Sequence, residues 1–82
     1  MEFEWDNAKN EANRLKHGLD FTFAIRIFQG PFREWVDLRP RTETRRLAVG
    51  QVEGLYVTVI YTRRGGRYRI ISARPARRNE RY

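Results

Sequence analysis

The chain has 82 residues, 17 Lys/Arg against 10 Asp/Glu for a net charge of +7, and no cysteine; that allows one small core and excludes disulfide frames and thiol chemistry. Hydrophobic residues at 40% and aromatics at 13% exceed what a disordered chain carries, so residues 1–82 are expected to fold as a single domain. No apolar run reaches membrane-spanning length and the acidic opening "MEFEWDNAKN" is not a signal peptide, so the protein is expected in the cytoplasm, away from the membrane.

In chain order, "MEFEW" alternates and reads as a short strand. Asp6 is a good N-cap for a helix through "NAKNEANRLKH", with Ala8, Ala12 and Leu15 on one thin apolar stripe and Gly18 as its C-terminal stop. Asp20 caps a second helix, "FTFAIRIFQ", where Phe21, Ala24, Ile25 and Phe28 follow helical spacing until Gly30-Pro31 ends it. From Phe32 the period becomes two. "FREWVDL", "RRLAVGQV", "LYVTVIYT" and "RYRIISAR" read as four strands, the last three joined at Glu53-Gly54 and Gly65-Gly66. The expected fold is α+β: two N-terminal helices packed on one face of an antiparallel sheet of about four strands, with a short helix after Pro75.

Two-residue turns fix the register of the hairpins. Arg45 then pairs with Thr62, Leu47 with Ile60, Thr62 with Arg69 and Ile60 with Ile71. One face carries Arg45, Thr62 and Arg69 in a row beside apolar residues and has no obvious cover. The other collects Ala48, Gly50, Val57, Val59, Tyr61 and Ile70, small enough in places for a helix to approach. A one-residue bulge would swap these faces.

Charge is polarised as well as large. Residues 1–20 hold three Lys/Arg against five Asp/Glu, residues 21–62 six against four, and residues 63–82 eight against one. Arginine supplies 15 of the 17 cations, and its planar fork matches phosphate or carboxylate where lysine would serve solubility alone. Such a field draws phosphate backbones or an acidic protein to one region.

The stretches "FEWDNAKNEANRLKHGLDF", "RRLAVG", "VIYT" and "RIISARPARRNE" closely resemble the BrnT family of bacterial toxins, whose signature elements are the FEWD-x-x-K-x-x-x-N-x-x-KHG opening, the YT strand and the RIISAR-x-A-x-x-x-E ending. The resemblance covers nearly the whole chain. It implies a small ribonuclease with a RelE-like fold, acting on an RNA substrate and inhibiting growth and translation. It also implies neutralisation by a BrnA-type antitoxin with a ribbon-helix-helix DNA-binding module in a two-plus-two assembly, operator DNA being bound only through that antitoxin. One departure stands out: Arg63 follows the YT strand, where many members carry an acidic residue.

The residues themselves constrain the chemistry. Cutting RNA without a metal requires a base for the 2′-OH, cations against the developing phosphorane charge and an acid for the leaving oxygen. The single histidine, His17, excludes a two-histidine pair, and the scattered acids disfavour a two-metal site. No cofactor or metal is expected. What remains is arginine-dominated stabilisation by Arg45, Arg69 and Arg74, with His17, Glu43 or Tyr61 as proton carrier.

Each candidate has a plainer role. His17 suits capping of free carbonyls at its helix end, and Tyr61 on the covered face suits the core. Glu43 can simply pair with an arginine. Arg74, next to Pro75, fits the start of a helix, where a phosphate could sit between guanidinium and helix N-terminus. Arg77, Arg78 and Arg81 read as a solvated helix face useful for RNA affinity, with Thr62 beside the arginine row. Trp5 and Trp35 read as packing residues, although an exposed Trp35 could stack a base. The competing function is a non-catalytic module that binds nucleic acid or protein.

Overall fold

A computed structural model describes residues 1–81. The order is β1 (Glu2–Glu4), α1 (Asn7–His17), α2 (Phe21–Ala24) running into a 3₁₀ stretch (Ile25–Gln29), β2 (Phe32–Asp37), β3 (Arg45–Val52), β4 (Leu55–Arg64), β5 (Arg67–Pro75) and a final 3₁₀ turn (Arg78–Glu80). The strands form one sheet in the order β1-β5-β4-β3-β2.

Strand β1 corrects the four-stranded antiparallel expectation. It joins as a fifth strand and lies parallel to β5, Phe3 opposite Tyr68 and Glu4 opposite Arg69, so the sheet is mixed. A parallel partner needs a long connection, and the whole remainder of the chain provides it. The two hairpins follow expectation: Glu53 and Gly54 have φ of 51° and 83°, and Gly65 and Gly66 of 53° and 82°, the left-handed pair of a type I′ turn that matches strand twist.

The covered face is built from Ala48, Val57, Val59, Tyr61, Ile70 and Ala73 of the sheet against Phe21, Ala24 and Ile27. Phe21, Ala24 and Ile27 are each wholly buried, a spacing of three, while Ile25 and Phe28 of the expected helical stripe are partly buried against the same core. The 3₁₀ stretch, with three residues per turn, is what brings Ile27 inward. Ile27 also explains Gly50: a Cβ there would lie 2.9 Å from the Cβ of Ile27. Around this centre Phe28 meets Phe3, Phe32, Tyr61 and Tyr68, and Trp5 stands edge-on to Phe21.

Helix α1 overturns its predicted face. Ala8, Ala12 and Leu15 all point to solvent, Leu15 being 74% exposed. The inward residue is Asn13, 7% exposed. Its Nδ2 donates to the carbonyls of Leu19 (3.0 Å) and Ala73 (2.8 Å), while its Oδ1 accepts from the Ala73 N–H (3.1 Å) and the Ser72 hydroxyl (3.0 Å). Asn13 thus does for the edge of β5 what a neighbouring strand would do beyond the end of β1. The caps agree with the sequence reading: Asp6 accepts from the Ala8 and Lys9 N–H groups, and Gly18 takes the left-handed conformation at φ 73°.

The C-terminal helix is reduced to one 3₁₀ turn, since β5 continues through Pro75. The largest correction lies within β5. Tyr61 faces Ile70, but Ile60 faces Ser72, so Ile71 is an extra residue in a bulge and the expected Ile60–Ile71 pair does not form. Arg69 and Arg74, five positions apart, would fall on opposite faces of a regular strand. The bulge puts both on the open face while Ile70 and Ala73 stay in the core.

Candidate nucleic-acid interface

The register arranges the open face in three rows across β2, β3, β4 and β5. The first is Arg33, Val49, Thr58 and Arg74, the second Trp35, Leu47, Ile60 and Ser72 with the bulged Ile71, and the third Asp37, Arg45, Thr62 and Arg69. A half-buried aromatic and aliphatic row therefore lies between two rows that carry arginines.

Two grooves occupy this face. The larger, about 870 Å³, has Trp35, Leu47 and Ile60 as its floor and is bordered by Arg33, Arg45, Arg74 and Arg77. The smaller, about 350 Å³, gathers Lys9, Arg41, Glu43, Arg45, Thr62, Arg64 and Arg69. Arg45 lines both.

The ends of the face are not bare, as the sequence reading had them. At one end the chain after β5 folds back, and the Glu80 carboxylate accepts from both nitrogens of the Arg74 fork (2.7 and 2.8 Å), from the Thr58 hydroxyl (2.9 Å) and from the Arg77 N–H (2.7 Å). The Arg74 guanidinium beside it, with the Arg77 amide and Thr58 hydroxyl, lowers the Glu80 carboxyl to about 2. At the other end the Thr62 hydroxyl donates to the Thr44 carbonyl (2.8 Å), which leaves Thr62 4% exposed.

Arg74 is consequently a strand residue with an internal partner, not the first residue of a helix with a phosphate site at its N-terminus. Arg69 is paired too, with Glu4 at 2.9 Å. Glu43 is held by Arg64 through two hydrogen bonds of 2.9 and 2.8 Å, and that contact keeps its carboxyl below the ordinary range, with smaller contributions from Arg69 and Arg45. Asp37 is lowered likewise by the Arg39 side chain and amide.

Among the described residues every carboxylate is engaged in this way. Asp6 and Asp20 cap helices, and the others pair with arginines. Among the described residues the cations left without a carboxylate include Arg33, Arg45 and Arg77 in the larger groove and Lys9 with Arg45 in the smaller. No group of three His, Asp or Glu side chains suited to a metal ion occurs among the described residues. Among the described residues no helix is long and apolar enough to cross a membrane.

Two predicted proton carriers lie elsewhere. Tyr61 is on the covered face, fully buried and stacked on Tyr68 at 4.9 Å, and its hydroxyl lacks a hydrogen-bond partner there. His17 ends α1 and lines neither groove. Of the RNA-binding candidates, Arg77 borders the larger groove and Thr62 lines the smaller. Arg78 is solvent-exposed within the last turn, and Arg81 lies over the Tyr56 ring at 5.9 Å. They do not form one helix face.

Sequence reasoning missed Asn13, Lys9, Arg33 and Arg41. An asparagine three residues past Asn10 on a helix with a poor apolar stripe was the available signal for the first. Lys9, like Asn13, stands at a fixed position of the FEWD-x-x-K-x-x-x-N opening; for Arg33 and Arg41 there was no signal before the register and the loop 38–44 were known.

The motif stretches at the two ends of the chain meet in space, Asn13 of the first binding Ser72 and Ala73 of the second, and Glu80 locking Arg74. A family model described as "Ribonuclease toxin, BrnT, of type II toxin-antitoxin system" matches residues 5–80. No curated protein matches the chain.

Proposed function

Because the chain belongs to the BrnT family of ribonuclease toxins of type II toxin–antitoxin systems, we propose that it is a RelE-like, metal-independent endoribonuclease whose active face is the open side of the sheet. The observation that carries this reading is Arg45. It has no carboxylate partner among the described residues, it lines both grooves, and it stands in one row with Arg69.

A scissile phosphate on that row would meet the Arg45 guanidinium directly. Arg69, oriented by Glu4, adds a second cation to the developing phosphorane charge. Fixed donors aimed at such charge are each worth about 10²- to 10³-fold in rate. Glu43 is the carboxylate of the smaller groove, held below its ordinary range by Arg64; it accepts the 2′-OH proton as the 2′-oxygen bonds to phosphorus, and solvent water protonates the 5′-oxygen as the P–O5′ bond breaks, leaving a 2′,3′-cyclic phosphate. With both oxygens bound to Arg64 it is a weak base, so electrostatic stabilisation supplies most of the rate. Arg74 and Glu80 hold the other wall.

A type II family implies an antitoxin partner. We assign that role to a BrnA-type protein with a ribbon-helix-helix module in a two-plus-two complex, which silences the toxin by covering the arginine rows and so stops the loss of translation and growth. The test is cleavage of RNA by the purified protein in EDTA, with Arg45→Ala as the diagnostic variant. Arg69→Ala and Arg74→Ala are poorer probes, since each strands a partner carboxylate. Cleavage should fall at least about 100-fold in Arg45→Ala with unfolding unchanged. Full activity in that variant, or activity that vanishes with EDTA, overturns the mechanism.

A further inference from the structure

The three rows of the open face carry a finer inference, which rests on the ribonuclease reading and specifies what the groove selects. We propose that Trp35, Leu47 and Ile60 form a platform for one unpaired base of single-stranded RNA, with its two flanking phosphates held by the arginine rows on either side.

A contiguous apolar row half-open to solvent on the uncovered face of a sheet marks an interaction site, and here the order of chemistry defines its occupant. The middle row holds an indole with two aliphatic side chains. Among the described residues, the row beyond it holds the unpaired Arg33, with Arg77 at the rim and Arg74 locked to Glu80, and the row before it holds the unpaired Arg45 beside Asp37, which Arg39 neutralises. Thr62 of the Arg45 row and Thr58 of the Arg74 row are four residues apart on β4, roughly 13 Å at strand rise. Between two cationic rows there is thus room for a nucleoside. An apolar peptide would match the middle row but not its cationic borders. A paired base would offer no free face to Trp35, and an A-form duplex hides its bases in a groove that side chains do not enter. A single strand satisfies both requirements at once, through stacking on the ring and contacts along the backbone.

The test is the fluorescence anisotropy of a labelled 2′-O-methyl hexanucleotide, which cannot be cut, so binding is read apart from cleavage. Trp35→Ala should weaken binding about tenfold and Trp35→Phe, which keeps a ring, by less than about threefold. Arg45→Ala should weaken binding and lower the slope of log affinity against log salt by about 0.7. The same hexamer annealed to its complement should bind more weakly than the single strand. Equal affinity in Trp35→Ala, or a duplex bound as tightly as the single strand, overturns the platform. So does a groove that takes the antitoxin but no oligonucleotide. The two readings fail separately: RNA cleaved normally by Trp35→Ala with unchanged affinity removes the platform alone, whereas ring-dependent binding without any cleavage of ordinary RNA removes the ribonuclease reading alone.

Discussion

The Arg74–Glu80 pair offers the most direct check on how the open face is held, and Glu80→Gln is the perturbation. Glutamine keeps the shape of the side chain and resembles the protonated acid, so it removes the charge with little change in volume. In the folded protein the Glu80 carboxyl is lowered from 4.5 to about 2, first by the hydrogen bonds from Arg74 and then by the Arg77 amide and Thr58 hydroxyl. The side chain is 9% exposed and that of Arg74 13%, so solvent screens the pair little. A shift of that size corresponds to about 3 kcal/mol of stability at neutral pH.

The sign follows from the direction of the shift. A carboxyl with a depressed folded-state pKa contributes fully above its unfolded value of 4.5 and loses that contribution as pH falls toward about 2. Urea unfolding of the wild type and of Glu80→Gln, run at fixed ionic strength from pH 7 down to pH 2.5, should therefore show a gap of about 3 kcal/mol that persists to about pH 5 and closes to under about 1 kcal/mol at the acid end. A gap that stays constant over this range would refute the assignment, because it would trace to packing and not to the ionised carboxylate. No gap at all would show that desolvation of the pair cancels its attraction.

Other side chains give independent checks. Asn13→Asp is nearly isosteric but cannot donate to the Leu19 and Ala73 carbonyls, so it should destabilise by about 3 kcal/mol in the same denaturation assay; a change under about 1 kcal/mol would mean that Asn13 does not hold α1 to the bulge. Tyr61→Phe removes a buried hydroxyl with no partner and should leave stability unchanged or raise it by up to about 1 kcal/mol, with RNA cleavage unaffected; a large loss of cleavage would return Tyr61 to the list of proton carriers. Gly50→Ala places a methyl 2.9 Å from Ile27 and should lower stability by about 1–3 kcal/mol, measured as a drop in Tm, whereas the same change at Gly30, where nothing lies within 4 Å, should not.

What the sequence made legible was whatever local chemistry determines. Asp6, Gly18 and the Glu53-Gly54 and Gly65-Gly66 turns act over a few residues, and with them came the strands, the Leu47–Ile60 and Thr62–Arg69 pairings and the arginine row. What stayed hidden depends on partners remote in the chain. The parallel place of β1 follows from the edge that β5 leaves open, and the inward turn of α1 follows from an asparagine that satisfies Ala73, 60 residues away. Arg63, which departs from the acidic residue common in the family, lies outside the grooves with its guanidinium over the Tyr68 ring at 4.9 Å, a contact set by the β4–β5 register and not by its neighbours in sequence. The bulge is the clearest case. "RIISAR" alternates well enough to be read as a regular strand, and such a strand would send Arg69 and Arg74 to opposite sides. The extra residue at Ile71 puts both on the open face, and Asn13 binds the chain next to it, at Ser72 and Ala73. Asn13 therefore ties α1, which brings almost no apolar surface to the fold, to the residues next to the bulge that puts the two arginines on one face.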